Sequence, residues 1–329
     1  MKVLYALANY PQLSETYITA EIDYVRAQGV EVEVWSPCGA DNVPAQVPVH
    51  RGDLLAAAHA FKPNVVHAHY LIFAGQYAAV LAGTGLPMTV RGHSFDFTVG
   101  RVAYLSGLPA VRHIYLFPHF ARQMADNHKV CPLPVAYSSG AYGPAEKDRK
   151  LVLRLAAGKP GKGLEDFFKV AELCPGWRFV LGVARVHELG HYIGALQTLR
   201  AGCKAQVSLV ADVPWPDAVR YTRSAGIYLD TAAPGAHPFG QPISVAEALA
   251  TGAYALVRRE VGAAEYIGPA GELYDTPAEA AALVRATALW DDAAWGQVAA
   301  RAVAQARGYA DTAVLGRLVA DWGVIHAGG

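Results

Sequence analysis

The feature that most constrains this chain is an alternation that starts at its first residues. A continuous apolar run is followed by a turn and a helical pattern, and the cycle then repeats. "KVLYALAN" (Lys2–Asn9) is apolar at every position from Val3 to Ala8, the signature of a strand buried on both faces of a parallel sheet. After the turn "YPQLSE", Ser14 is placed to cap a helix in which Ile18, Ile22 and Val25 share a face, and Gly29 to end it. "VEVEVWS" (Val30–Ser36) alternates and reads as the next strand. "NVVHAHY", "PMTVRGH" and "HIYLF" supply three more, separated by alanine-rich, helix-compatible stretches. Strands interleaved with helices predict an α/β, doubly wound parallel sheet.

Around "SSGAYGPAEKDRK" (Ser138–Lys150) the text turns polar, and a second series follows. It contains "LVLRLAA", a helix from Leu164, "WRFVLGV", a helix near His187–Ala201, "AQVSLVA", a helix from about Pro216, and "GIYLD". This predicts an N-terminal Rossmann-like domain over 1–148, a second over 149–310, and a C-terminal helix over 311–329 that returns toward the first. With 329 residues, 53% of them apolar, two cores are attainable. In such sheets ligands bind outside the C-terminal strand ends.

Charge narrows the function classes. Lys plus Arg number 28 and Asp plus Glu 28, a formal net charge of zero, so no general pull on nucleic acid exists and membrane contact is at most peripheral. Cys38, Cys131, Cys174 and Cys203 show no Cys-x-x-Cys spacing and read as free thiols. No run approaches the ~18 apolar residues of a spanning helix, and the N-terminus reads as a strand and not a signal peptide. The expectation is a soluble, cytoplasmic protein.

Two stretches carry chemistry. In "AAGKPGKGLEDF" a strand enters a glycine-rich turn with Lys159 and Lys162, and a helix follows. Glycines Gly158 and Gly163 permit close backbone approach, the helix start offers free N–H groups, and two ammonium groups add charge. A diphosphate site and a solvated turn are equally compatible, and the Walker pattern is absent. In "HPFGQPISVAEALATG" (His237–Gly252), Pro242 can start a helix that carries Glu247 and ends at Gly252. Glu247 could accept hydrogen bonds from two ribose hydroxyls, or simply suit the positive helix end.

Together these residues resemble the family 4 retaining glycosyltransferases, which have the GT-B architecture of two Rossmann-like domains facing a central cleft. "HPFGQPISVAEALATG" is similar to the family's signature loop, "GKPGKG" to its basic pair, and "VGAAEYIGPAGELY" to its Gly-x-x-Glu segment. "YPQLSETYITAEIDYVRAQGVEVEV", "VVHAHY" and "RGHSFDF" look like its first loop and helix, its His-x-His strand end and its His-x-x-Asp loop. The chain departs from the pattern where His237 replaces a glutamate, where Gln241–Pro242 reads as an insertion, and where the arginine of the basic pair falls on Ala157 or is replaced by Lys159.

The resemblance implies a metal-independent hexosyltransferase without a cofactor, using a nucleotide-sugar co-substrate such as a UDP- or GDP-sugar. Its acceptor is left open among a saccharide, a lipid-linked sugar and a metabolite. It implies catalytic roles for His93, Lys162 and Glu247. The donor site would comprise Gly158, Lys159, Lys162, Gly163, His237, Phe239, Gly240, Ile243, Ser244 and Glu247. Ser14, Glu15, His69 and Asp96 would lie on the acceptor side. His67 and His69 share one face of a strand, but the sequence spaces no third metal ligand with them. Two alternatives stand: a catalytically degenerate GT-B binding protein, and a nucleotide-sugar epimerase.

Overall fold

The computed structural model describes all residues except 13–14, 40–43, 186–189, 233–234, 236–239 and 329. It divides into two compact units, residues 1–136 with 311–329, and residues 137–310.

The N-terminal unit is built on β1 (Lys2–Ala6), α1 (Thr16–Ala27), β2 (Glu31–Trp35), β3 (Val49–His50), α2 (Leu54–Phe61), β4 (Val65–His69), α3 (Leu71–Val80), β5 (Met88–Arg91), α4 (Val99–Ser106), β6 (Val111–Leu116), α5 (Pro118–Ala121) and β7 (Val130–Pro132). Its seven strands lie in the order β3-β2-β1-β4-β5-β6-β7, and every pairing is parallel. Strand order reverses between β1 and β4, so the crevice for a ligand opens past Ala6 and His69. β1 and β4 read as apolar runs because helices cover both faces. Ile18, Ile22 and Val25 of α1 pack in the core as their spacing predicts. The cap of α1 is Glu15, which makes no side-chain capping bond; Ser14, the expected cap, lies outside the described residues.

The C-terminal unit runs through β8 (Asp148–Ala157), α6 (Leu164–Glu172), β9 (Arg178–Ala184), α7 (Gly190–Gly202), β10 (Val207–Ala211), α8 (Trp215–Ser224), β11 (Ala225–Asp230), α9 (Ile243–Ala250), β12 (Tyr254–Arg258), α10 (Ala263–Ile267), β13 (Gly271–Tyr274), α11 (Pro277–Ala286) and α12 (Asp292–Ala306). Its six strands lie in the order β10-β9-β8-β11-β12-β13, again all parallel. The switch point falls between β8 and β11, where the loops after Ala157 and Asp230 emerge. α13 (Asp311–Val314) and α14 (Gly316–Ala327) then belong to the N-terminal unit. Trp322 of α14 is fully buried there, edge-on to Tyr5 and His67, and donates its indole N–H to Thr89 Oγ1 at 3.0 Å.

The division after Ala136 precedes the polar stretch that suggests a boundary near 148, and the reason is local. Tyr137 N–H bonds Tyr309 O at 2.9 Å, and Lys147 Nζ bonds Thr222 O, Arg223 O and Thr251 Oγ1 at 3.2, 2.9 and 2.6 Å. Those contacts hold residues 137–147 to the C-terminal unit. No helix among the described residues is long and apolar enough to cross a membrane.

Candidate functional site

The loop after β8 places the basic pair. Gly158 N–H bonds Ala184 O at 2.8 Å, and a Cβ at this position would meet Val183 Cγ1 at 2.7 Å, so a larger residue would force Val183 or the backbone to shift. Gly163 caps α6 with φ +58°, a conformation that other residues seldom adopt. Between them Lys162 is partly buried, and burial, with Arg154 and Lys159 nearby, pushes its ammonium down to about 8; Asp230 opposes the shift. The loop is tied to the end of β11, where Thr231 Oγ1 donates to Lys162 O at 3.2 Å.

Beneath the loop lies a cation that the motif reading does not include. Arg154, in the middle of "LVLRLAA", is 2% exposed and pairs with Asp230 Oδ1 at 2.9 Å; its other terminal nitrogen donates to the Tyr228 hydroxyl at 3.3 Å. The available signal was the charged residue itself, alone in the otherwise apolar run "LVLRLAA". A buried charge requires a partner, and the partner lies on β11, remote in sequence. Arg154 thus supplies a guanidinium near Lys162 although the loop position Ala157 carries none.

The signature stretch begins outside the described residues, which exclude His237 and Phe239. From Gly240 onward the chain is defined. Gln241 has φ +47°, Pro242 is the N-cap of α9, and Ile243 and Ser244 form the first turn. Ser244 Oγ is tied to the Tyr228 hydroxyl at 2.5 Å, so this turn is welded to β11 and, through Tyr228, to Leu155 of β8. Tyr266 of α10, in the stretch "VGAAEYIGPAGELY", donates to Pro242 O at 2.8 Å and secures the same corner.

Glu247 sits in the second turn of α9, and the first turn contains no acidic residue. A role in complementing the helix dipole is therefore weak, since that effect fades beyond the first turn. The side chain is 5% exposed, and burial pushes its carboxyl up to about 7, while the hydroxyl of Tyr142 donates to it and opposes the rise.

In the N-terminal unit the strand ends gather a second constellation. His69 ends β4, Arg91 ends β5, and His93 follows in the loop. Glu21 of α1 reaches them: Arg91 pairs with Glu21 Oε2, His69 Nε2 lies 3.2 Å from Oε1, and the Tyr5 hydroxyl donates to Oε1 at 3.1 Å. Arg91 and the two imidazoles hold the Glu21 carboxyl well below the usual range against the opposing effect of burial. His69 Nδ1 is 3.2 Å from His93 Nε2. Burial drives His69 down to about 4 and His93 well below its ordinary value, so both rings are neutral near pH 7.

Of the expected acceptor-side residues, Ser14 lies outside the described residues, and Glu15, His69 and Asp96 are held by neighbours within the N-terminal unit. His69 is fully buried behind His93. Asp96 is buried too, and its oxygens accept from Leu71 N and His93 N at 2.5 and 2.8 Å, which clamps the start of α3 to the His93 loop. Burial nonetheless raises its carboxyl to about 6. Glu15 accepts from Tyr70, whose hydroxyl also meets that of Tyr17 at 2.7 Å.

Sequence spacing offers His67 and His69 no third metal ligand, but the fold brings one. Ligand atoms of Glu21, His67 and His69 lie within 4.8 Å of one another, all buried. The donor set is poorly suited to a divalent ion, because the Arg91 guanidinium already neutralises Glu21 and would repel a second cation in a desolvated site.

Two parallel sheets, each ordered outward from a switch point, define paired Rossmann-like units of the GT-B class. No known protein-family model matches the chain, and no curated protein sequence matches it. Solved structures do match. Anabaena HepE, crystallised with UDP and glucose, has a TM-score of 0.78 at 14% identity, with 98% of each chain covered. A glycosyltransferase from Rickettsia africae gives 0.76 at 9% identity, also with 98% of each covered. Sucrose-phosphate synthase from Thermosynechococcus elongatus gives 0.73 at 12%, with 100% of each covered. The chain has the GT-B fold of these proteins.

Proposed function

We propose that this protein is a retaining, nucleotide-sugar-dependent glycosyltransferase of family 4, with the donor bound by the C-terminal unit. The observation that carries the reading is the pair Lys159 and Lys162 at the β8 end of the switch point, on a glycine loop tied to the end of β11 and lying over the buried Arg154–Asp230 pair. A diphosphate leaving group gains negative charge as the glycosidic bond to it breaks. Preorganised cations in a desolvated corner stabilise that charge with little reorganisation, and no metal ion is needed for it. Glu247 is the ribose carboxylate and His93 the N-terminal unit's contact to the transferred sugar or acceptor. HepE was crystallised with UDP-glucose, which makes a UDP-hexose the first donor to test.

Nucleotide release from UDP-, GDP- and ADP-sugars, with cell extract as acceptor source, tests the activity, and NMR of the product anomer tests retention. Acceptor-dependent release with retained configuration is expected; a panel without binding or release overturns the proposal. The burial of Glu247 against Tyr142 favours one rival, a GT-B scaffold that binds without turning over. Binding without acceptor-dependent release would establish that instead.

A further inference from the structure

We infer that Glu21 and His69 are positioning residues that hold His93 in a single tautomer, protonated on Nε2, so that its Nδ1 offers a lone pair to a hydroxyl-bearing ligand. The argument is a proton count along one buried line. Glu21 is fully buried, with Arg91 on one oxygen and Tyr5 donating to the other, so the carboxylate can only accept. His69 Nε2, at 3.2 Å from Oε1, must therefore carry the hydrogen. A neutral imidazole has one N–H, so His69 Nδ1 is bare and can only accept. His93 Nε2 faces that nitrogen at 3.2 Å and must be the donor, which leaves His93 Nδ1 bare.

The groups around this line support neutrality at each ring. Arg91 faces it from β5, Tyr5 from β1, Tyr17 from α1 and His67 from β4, whose Nε2 lies 3.2 Å from the same Glu21 oxygen and only adds a further donor there. Both His69 and His93 are driven toward the neutral form by desolvation. The His93 ring is also fixed in place. Its backbone N–H is held by Asp96 Oδ1 at 2.8 Å, and the ring lies against Tyr70 at 4.4 Å and stacks on His69 at 5.3 Å between centroids. His93 is 8% exposed, and among the described residues its side chain makes no hydrogen bond but that to His69.

A bare ring nitrogen selects ligand chemistry. It accepts from an alcohol and is repelled by groups that only accept, such as phosphate or carboxylate oxygens. The group that meets His93 here is therefore a hydrogen-bond donor such as an alcohol; that it is a sugar hydroxyl in group transfer rests on the proposed function, whereas the tautomer does not.

The test is the long-range proton–nitrogen spectrum of the full chain labelled with nitrogen-15 histidine, at pH 7, with His93 assigned by its loss in His93→Asn. The expected spectrum shows His93 Nδ1 pyridine-like and Nε2 pyrrole-like. The reverse pattern, a doubly protonated ring or an averaged pair of shifts overturns the inference. In His69→Phe the stacked ring is kept and the hydrogen bond removed, and the tautomer ratio of His93 should fall about tenfold. A folded His69→Phe variant with an unchanged ratio would end the positioning role. If the wild-type spectrum is as expected and no nucleotide sugar binds, the transferase reading fails alone.

Discussion

The Tyr142 hydroxyl donates to the Glu247 carboxylate, and the two side chains are buried together at 4% and 5% exposure. Tyr142 comes from the polar stretch whose composition suggests only a boundary, yet it sits against the carboxylate proposed for the ribose. Glu247 is thereby poised near neutrality, and two predictions depend on it.

In the proposed donor site ribose hydroxyls donate to Glu247, which requires its ionised form. With the group at about 7, nucleotide binding at pH 6.5 should release protons, and affinity should fall below pH 7 by up to about tenfold per unit. Tyr142→Phe removes a bond that lowers the value, so the loss should begin at higher pH. Calorimetry with UDP-glucose in two buffers of different ionisation enthalpy reads this directly. Proton release of zero would return Glu247 to a purely structural role.

The same shift has the opposite sign for stability. A carboxyl raised in the folded state binds its proton more tightly there than in the unfolded chain. Folding is thus weakened as pH rises from the ordinary carboxyl range to about 7, and the penalty persists above it. Glu247→Gln should therefore stabilise the protein at pH 8 by about 1–3 kcal/mol and do little at pH 4. Urea titrations at the two pH values check it, and a variant less stable at pH 8 would contradict the sign.

Lys162 supplies the third prediction. Replacing it with alanine should lower turnover more than tenfold, since a charge-assisted contact contributes ~1.5–3 kcal/mol. In the unsubstituted protein, with Lys162 at about 8, donor affinity should decline as pH rises past that value, because the neutral amine gives no charge to the proposed diphosphate. Turnover in Lys162→Ala equal to that of the parent chain would remove this residue from the mechanism.

The Arg154–Asp230 pair, 2% and 1% exposed, should show the asymmetry of buried ions. Asp230→Ala strands a guanidinium and should cost about 3–5 kcal/mol, while Arg154→Met with Asp230→Leu should recover most of it. Chemical denaturation of the single and double variants decides the matter. A single substitution that costs under about 1 kcal/mol would mean that water or another group neutralises Arg154.

The repeating strands and helices were legible because the central strands hold apolar runs, as at Val3–Ala6, and helices keep an apolar face, as at Ile18, Ile22 and Val25. β3, β7 and β13 were not, since edge strands of two to four residues carry no usable period. The basic loop and the α9 stretch stood out through glycine, proline and charge. Their surroundings did not, because a buried charge is explained only by partners from elsewhere in the chain: Glu21 for Arg91, Asp230 for Arg154, Tyr142 for Glu247. Sequence spacing records none of those distances.

Trp322 has a consequence for how the molecule is made. It fills the core of the N-terminal unit against Tyr5 and His67, yet the whole C-terminal unit separates it from them along the chain. During synthesis the N-terminal sheet emerges first and waits for its plug while a complete second domain forms. Until residue 322 arrives, Tyr5, His67 and Thr89 face a hole the size of an indole. The domain begun first is closed last, and a nascent chain stalled after residue 310 would expose that hole to chaperones.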